Sequence, residues 1–181
     1  MCKKFIYLIA FAFALCTTAM AADIAFYIGP FNPGWYGPEQ LDHVDTIIAE
    51  TGGLFGDIQQ FDDTQLAAFG AWVDDHTDNG VMDIIWLNGT MPSVLYQFPN
   101  VNPDGSRAEV WLDNGNMFIN VGDWFAYCSY EGGTRQADNG TTGAANILDL
   151  ADGIIGWNDG TTLTVTPSGH EYIPSLPNTV S

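Results

Sequence analysis

The sequence predicts an α/β domain built on an open, mainly parallel sheet. Three short apolar runs that end in turn-forming residues support this prediction, at residues 23–29, 82–92 and 116–123. Runs of about four to eight apolar residues, rich in β-branched and aromatic side chains, are too short for helices and suit strands covered on both faces. Helical patterns separate the three runs. Strands that alternate with helices form parallel sheets, whose sites lie beyond the carboxyl ends of the strands.

The first 21 residues have the pattern of a secretory signal peptide, which leaves residues 22–181 as a single domain. Two lysines precede an apolar block at residues 5–16, and Ala19-Met20-Ala21 provides a small-residue cleavage signature. The apolar block is too short to span a bilayer, which takes about 20 apolar residues. Lipid attachment at Cys16 is an alternative that the large Leu15 disfavours. We therefore predict cleavage after Ala21, a secreted or periplasmic location, and no stable membrane insertion of the mature chain.

Removal of this leader makes the chain strongly acidic. The mature chain keeps Arg107 and Arg135 against 22 acidic residues, a formal charge of −20. Nucleic acids and anionic membranes bind to clustered Lys and Arg, so this charge excludes both as partners. The expected partners are small neutral ligands or proteins, although the acidity also suits solubility in salty or divalent-rich surroundings. Cys128 is then the one cysteine and cannot form a disulfide within the chain, so we expect a buried, unreactive thiol.

Strand and helix patterns alternate through the first half of the domain. The strand at residues 23–29 leads into a Pro- and Gly-rich loop at residues 30–36, which carries three aromatic rings. Apolar residues at helical spacing then predict a helix that ends at Gly52-Gly53. A strand follows at residues 54–61, weakened by two turn-forming residues within it.

Two capping boxes mark the next two helices. Asp62 with Gln65, and Ser106 with Glu109, have the spacing at which a helix N-cap and the third helical residue cap each other's backbone. The two helices flank the central strand. The second helix leads through a Gly turn into the strand at residues 116–123.

Beyond residue 123 the pattern becomes less regular. Residues 124–130 are predicted to turn back into a helix, and residues 134–143 to form a polar loop. Residues 144–150 suit a strand or a buried turn, and residues 161–166 alternate like an edge strand. Three prolines from Pro167 onward and the lack of a helical period predict an irregular tail.

The order of elements resembles the class I glutamine amidotransferase-like superfamily, most closely its secreted, trehalose-utilisation-type branch. Members of that branch carry a helix, a Gly turn and an apolar strand that ends in a sharp elbow. The matching segments are residues 108–112, 114–116 and 117–122. Residues 165–170 are similar to the segment before a His-Pro-Ile turn in those domains, with Glu171 and Tyr172 in place of Pro and Ile. The resemblance covers about residues 23–176.

This resemblance implies a three-layer, flavodoxin-like sandwich, with a nucleophile at the elbow and a histidine and an acid late in the chain. The elbow here holds Gly122, Asp123 and Trp124, none of which is a thiol or hydroxyl nucleophile. Cys128 lies in the helix predicted beyond the elbow, and the late histidine would be His170. We therefore expect a domain that lacks the amidotransferase nucleophile and has no glutaminase activity.

The sequence predicts no metal ion, nucleotide or flavin as a cofactor. His43, His76 and His170 are not spaced as paired zinc ligands, and no Cys-x-x-Cys or His-Glu-x-x-His motif is present. The Asp-Gly and Asn-Gly pairs never assemble the alternating acids of a calcium loop and are typical of turns. Gly52-Gly53 ends a helix instead of opening one, so it does not form a phosphate-binding loop.

A crevice at the carboxyl ends of the strands is the predicted binding site. Aromatic faces beside Asn, Asp and Thr side chains suit a neutral polyol or sugar, which combines apolar C–H faces with hydroxyl groups. Alternatively, the tryptophans belong to the core and the polar residues cap strand ends. The residues predicted to line the crevice are Asn32, Trp35, Tyr36, Asn88, Thr90, Asp123, Trp124 and Glu131.

Three functions fit these features. The first is an exported, non-catalytic amidotransferase-like domain that binds a neutral ligand, such as a carbohydrate, or a protein. The second is a hydrolase that acts on a carbohydrate or an amide through Asp123 or Cys128 with His170. The third is a structural component of the cell envelope. The elbow without a nucleophile favours the first.

Overall fold

The computed structural model describes residues 21–31, 41–97, 104–151, 162–172, 174 and 177–180. Its central sheet consists of four parallel strands: β1 (Ile24–Tyr27), β2 (Ile58–Phe61), β3 (Ile84–Asn88) and β4 (Met117–Val121). Their order across the sheet is β2-β1-β3-β4. Ile24 lies opposite both Ile58 and Ile84, and Ile84 lies opposite Met117. The strands therefore begin level with one another, and their carboxyl ends lie at one edge.

Helices cover both faces of the sheet and complete a three-layer, flavodoxin-like sandwich. α1 (Asp42–Thr51) connects β1 to β2, α2 (Leu66–His76) connects β2 to β3, and α3 (Arg107–Asp113) connects β3 to β4. The chain moves from β1 outward to β2, and then in the opposite direction to β3 and β4. With right-handed crossovers, this reversal places α1 on one face and the other two helices on the opposite face. The predicted fold class is confirmed.

Alternate residues of β1 enter the two halves of the core. Ile24 and Phe26 pack with Val44 of α1, whereas Ala25 and Tyr27 pack with side chains of α2 and α3. Successive side chains of a strand point to opposite faces, so a strand covered on both faces is apolar throughout. All four residues of β1 are buried. This burial is the physical reason why short continuous apolar runs predicted the strands.

Both predicted capping boxes are present. Asp62 and Gln65 cap each other at the 3₁₀ turn that leads into α2, and Ser106 and Glu109 do so at the start of α3. Glu109 Oε2 accepts hydrogen bonds from the backbone N–H and the hydroxyl of Ser106, both over 2.8 Å. Burial, and then a hydrogen bond with Asp104, raise the pKa of the Glu109 carboxyl. Each helix therefore begins at the position where residues of its own first turn cap its backbone.

A β-hairpin replaces the helix predicted at residues 124–130 and most of the loop predicted at residues 134–143. β5 (Cys128–Glu131) and β6 (Thr134–Asp138) pair antiparallel around Gly132-Gly133. The two glycines have φ angles of +60° and +71°. Positive φ at both central residues is what a two-residue turn needs to match the twist of antiparallel strands. The Gly-Gly pair is thus a hairpin signal, and the helix and loop predictions were wrong because they overlooked it.

Two short helices also differ from the prediction. α4 (Gly143–Ile147) lies where the sequence predicts a strand or a buried turn, and α5 (Pro167–Tyr172) lies in the predicted irregular tail. Pro167 is the first residue of α5, where a missing backbone N–H breaks no hydrogen bond. The predicted edge strand is confirmed as a two-residue strand, β7 (Leu163–Thr164), which pairs with β8 (Thr179–Val180).

The predicted leader falls outside the described residues except for Ala21. Within the described ranges, no helix combines the length and the apolar character needed to cross a membrane. Secretion and cleavage after Ala21 stay predictions.

Candidate functional site

The direction of the chain across the sheet reverses between β1 and β3, and α/β sheets bind ligands at such a point. The connections that leave these two strands run to opposite faces of the sheet, so they diverge beyond the carboxyl edge. We call the region bordered by residues 28–31 and 88–91 the switch-point crevice. Asn88 and Thr90 of the predicted lining lie there. Three other predicted lining residues fall outside the described residues: Asn32, Trp35 and Tyr36.

The side chains of Asn88 and Thr90 connect β3 to β1 in this crevice. Asn88 is fully buried, and its Nδ2 donates a hydrogen bond to the Tyr27 backbone oxygen over 2.9 Å. Its Oδ1 lies 3.0 Å from His43 Nε2. The Thr90 hydroxyl donates to the Pro30 backbone oxygen over 3.3 Å. Both residues therefore hold the ends of the two strands together.

His43 belongs to the same crevice, although the sequence did not indicate it as a lining residue. It is the second residue of α1, is half-buried, and has its ring centroid 6.1 Å from that of Trp86. Because an amide oxygen can only accept, the contact with Asn88 requires the proton on His43 Nε2. The two residues are 45 positions apart in the chain. No local pattern could therefore have indicated this pair.

The elbow after β4 carries Asp123 and Trp124. Gly122 makes the turn with a φ of +88°, a conformation that favours glycine. Asp123 Oδ1 accepts a hydrogen bond from the Trp124 backbone N–H over 2.7 Å, and Asn120 Nδ2 donates to the Asp123 backbone oxygen over 2.6 Å. Trp124 is half-buried and packs edge-on against Tyr127, with ring centroids 5.3 Å apart. The Asp123 carboxylate therefore stabilises its own turn.

Glu131 attaches the β5–β6 hairpin to Ser93, at the carboxyl edge of the sheet. Its Oε1 accepts a hydrogen bond from the Ser93 backbone N–H over 2.6 Å, and its Oε2 accepts one from the Ser93 hydroxyl over 2.8 Å. The adjacent Gly132 N–H donates to Asp63 Oδ2 over 2.6 Å. The hairpin therefore contacts the segments that follow both β3 and β2. Glu131, which the sequence predicts as a ligand-binding residue, therefore contributes to the attachment of the hairpin.

Tyr27 places a buried hydroxyl close to the attachment of the hairpin. The side chain is fully buried, and its hydroxyl has no hydrogen-bond partner in the described part of the chain. Burial raises the pKa of Tyr27, and the negative charges of Glu131, Asp63 and Asp62 raise it further. The phenol is therefore neutral throughout the physiological pH range.

Tyr27→Phe is expected to leave the free energy of unfolding unchanged or to raise it by up to about 1 kcal/mol. The substitution removes a polar atom that loses its water on folding and gains no hydrogen bond in return. The ring keeps its stacked contact with Phe69, whose centroid is 6.0 Å away. Urea denaturation followed by tryptophan fluorescence measures the change. A loss above about 1 kcal/mol would show that the hydroxyl has a bonding partner after all.

Asp123, Cys128 and His170 are the residues predicted as catalytic candidates. The Nε2 atom of His170 forms no hydrogen bond with either of the other two. Cys128 is buried in β5, so the predicted helical position was wrong and the predicted burial is confirmed. His170 lies in α5, and its buried Nε2 has no hydrogen-bond partner among the residues that the structure describes. That nitrogen is therefore bonded neither to Cys128 nor to Asp123.

The remaining histidine, His76, lies at the opposite, amino edge of the sheet. Its Nε2 is 3.3 Å from Asp23 Oδ2, and Asp83 completes a cluster of three potential metal ligands. Asp23 precedes β1 and lies 60 positions before Asp83, whereas His76 ends α2 and Asp83 precedes β3 shortly after it in the chain. A search for closely spaced ligands could not include Asp23, because only folding brings it to the other two residues.

No family model, curated protein or solved structure matches this chain. The resemblance to amidotransferase-like domains therefore stays a prediction. The three-layer architecture and the geometry of the site are the basis for the function proposed below.

Proposed function

We propose that this chain is an exported, amidotransferase-like domain without a catalytic nucleophile, and that it binds a small neutral ligand in the switch-point crevice. A carbohydrate is the first ligand class to test, because apolar C–H faces and hydroxyl groups match aromatic and amide side chains. One observation carries the proposal. Asn88, Thr90 and His43 bring polar side chains from β3, its following loop and α1 together at the point where α/β sheets bind ligands.

The chemistry of the described crevice favours binding over covalent catalysis. The hydroxyls of Thr90 and Ser93 donate to acceptors of the protein itself. The carboxylate at the elbow, Asp123, accepts a hydrogen bond from its own turn. An activated nucleophile needs an adjacent base or a lowered pKa. The acceptor of the Thr90 hydroxyl is a backbone carbonyl, which is not a general base. The Glu131 carboxylate that accepts from the Ser93 hydroxyl also accepts from the Ser93 backbone N–H, and it thereby attaches the β5–β6 hairpin.

The charge of the chain favours a neutral ligand. Asp62, Asp63 and Glu131 lie around the carboxyl edge, and the mature chain has a formal charge of −20. A field of one sign repels ligands of the same sign and lowers their local concentration. A neutral polyhydroxyl compound experiences no such repulsion.

The elbow begins next to the crevice, since the Gly89 backbone N–H donates to the Val121 backbone oxygen over 2.7 Å. Trp124→Ala is expected to weaken the binding of a saccharide by at least about tenfold, or about 1.4 kcal/mol, because it removes an aromatic surface at the elbow. Thermal-shift measurements with neutral mono- and disaccharides and polyols identify the ligand, and isothermal titration calorimetry measures its affinity. Met117→Ala is the matched control, since Met117 is 40% exposed at the other end of β4. The control is expected to keep the wild-type affinity.

Two results would contradict this proposal. If no saccharide or polyol raised the melting temperature, carbohydrate binding would be ruled out, and a structural role in the envelope would be favoured. If a tested compound were hydrolysed, and Asp123→Ala or Cys128→Ala abolished the hydrolysis, the domain would be an enzyme.

A further inference from the structure

Asp23, His76 and Asp83 converge at the amino edge of the sheet, opposite the switch-point crevice. Asp23 immediately precedes β1, Asp83 immediately precedes β3, and His76 is the last residue of α2. One ligand atom from each residue lies within 4.8 Å of the other two. The three atoms are one imidazole nitrogen and two carboxylate oxygens. Zinc and manganese take this mixture of ligands in proteins.

A hydrogen bond to the backbone determines which lone pair His76 presents to the carboxylates. Its Nδ1 lies 2.7 Å from the Trp72 carbonyl oxygen, which can only accept, so Nδ1 carries a proton. In the neutral imidazole, Nε2 then has a lone pair facing Asp23 Oδ2. Two lone pairs repel each other unless a cation lies between them. Metal-bound histidines are commonly held in this way, with the other ring N–H donated to a backbone carbonyl.

A protonated histidine would balance only one of the two carboxylate charges in the cluster. Asp83 is 0% exposed, and its carboxylate accepts hydrogen bonds from two neutral donors, the Asp23 backbone N–H and the Asn79 side-chain amide, each over 2.7 Å. A buried charge is costly unless a counter-charge compensates it. A protonated His76 would balance one of the two carboxylates. A divalent cation bound to the neutral imidazole would balance both.

Among the residues that the structure describes, neither arginine supplies this positive charge. Arg107 pairs with Asp74 through two contacts of 2.7 and 2.9 Å, and this pairing lowers the pKa of Asp74. Arg135 lies over the Tyr127 ring, 4.7 Å from its centroid. Both lysines of the chain belong to the predicted leader. The cluster therefore depends on His76 or on a bound cation.

The distance between His76 and Asp23 fits two ligands of one metal ion. A charge-assisted N–H···O hydrogen bond is usually about 2.7–2.9 Å long, and the observed separation is 3.3 Å. In a tetrahedral site with bonds of about 2.0–2.1 Å, neighbouring ligand atoms lie about 3.3–3.4 Å apart. The side chains of His76 and Asp23 are 19% and 23% exposed, so an ion can reach them from solvent.

We propose that Asp23, His76 and Asp83 bind a divalent transition-metal ion, with Zn²⁺ the first candidate and Mn²⁺ the second. The ion joins the starts of β1 and β3 to the end of α2. The imidazole ligand disfavours Ca²⁺ and Mg²⁺, which take oxygen ligands. The sequence predicts no metal ion, so this proposal departs from that prediction. It does not depend on ligand binding at the carboxyl edge.

The test uses the full-length protein, purified with a histidine-free tag and stripped of metal with a chelator. Zn²⁺ at about 100 times its dissociation constant is expected to raise the melting temperature by about 5–10 °C. Equilibrium dialysis with elemental analysis is expected to give one bound ion per chain, and Ca²⁺ is expected to give no shift. His76→Asn is the main variant, because its amide nitrogen can replace Nδ1 in the hydrogen bond to Trp72 while the Nε2 ligand is lost. Its Zn²⁺ affinity is expected to fall at least about tenfold.

Asp75→Asn is the matched control for charge, since Asp75 is an exposed acid on the same helix. It is expected to keep the wild-type response to Zn²⁺. Asp23→Asn is the second variant and is expected to lose affinity as His76→Asn does, with its backbone N–H still available to Asp83. A wild-type melting temperature that neither Zn²⁺ nor Mn²⁺ changes would overturn the proposal and leave a simple histidine–aspartate ion pair. Equal Zn²⁺ binding by the wild type and both variants would also overturn it, because the ion would then bind elsewhere.

Discussion

Trp111→Ala is expected to lower the free energy of unfolding by about 3–5 kcal/mol, the usual cost of removing a large aromatic side chain from a core. Trp111 is fully buried on α3 and packs against Trp72 and Phe118, with ring centroids 5.8 and 6.4 Å away. Its indole N–H also donates to the Met117 backbone oxygen over 3.1 Å. The substitution therefore leaves a cavity between α3 and the sheet and removes a hydrogen bond at the start of β4.

Urea denaturation measures this loss, and thermal unfolding is expected to show a melting temperature lower by about 10 °C. Val110→Ala is the matched control, because Val110 is the preceding residue of α3 and is 41% exposed. Its expected effect is within about 0.5 kcal/mol. If Trp111→Ala cost less than about 1 kcal/mol, the packing of α3 on the sheet described above would be wrong.

Asn88→Ala is expected to lower the free energy of unfolding by about 2–4 kcal/mol and to abolish ligand binding at the switch-point crevice. The substitution leaves the Tyr27 carbonyl and His43 Nε2 without the partners that Asn88 provides, and each unsatisfied buried polar group costs about 1–3 kcal/mol. Urea denaturation and calorimetric titration measure the two effects. Asn114→Ala is the control, since the Asn114 side chain bonds a carbonyl on the exposed end of α3. It is expected to change stability by no more than about 0.5 kcal/mol.

The parallel sheet could be predicted because a strand that is buried on both faces forms a short, continuous apolar run in the sequence. β1 is apolar in all four residues, and β3 and β4 show the same short runs closed by turn formers. The capping boxes at Asp62 and Ser106 were predictable for a similar reason, since a helix cap is completed within four residues. Each of these features depends on neighbours in sequence.

The later elements were harder to predict because their stability depends on distant contacts. The β5–β6 hairpin is attached through Glu131 to Ser93 and through Gly132 to Asp63, across 38 and 69 positions of the chain. Its strands are short and mostly polar, so hydrophobic periodicity gives no strand signal there. α5 begins with a proline and has only six residues. Such a helix is too short to show an apolar period.

Local sequence was sufficient for the α/β class, the positions of the main strands and the acidity of the chain, because each follows from composition or from residues within one element. The tertiary structure alone determined which polar groups meet. It brought His43 to Asn88 at the carboxyl edge, and Asp23 to His76 and Asp83 at the amino edge. His43 and Asn88 are 45 positions apart in the chain, and Asp23 and Asp83 are 60 positions apart. These contacts exist because parallel strands gather the ends of distant segments at the two edges of one sheet.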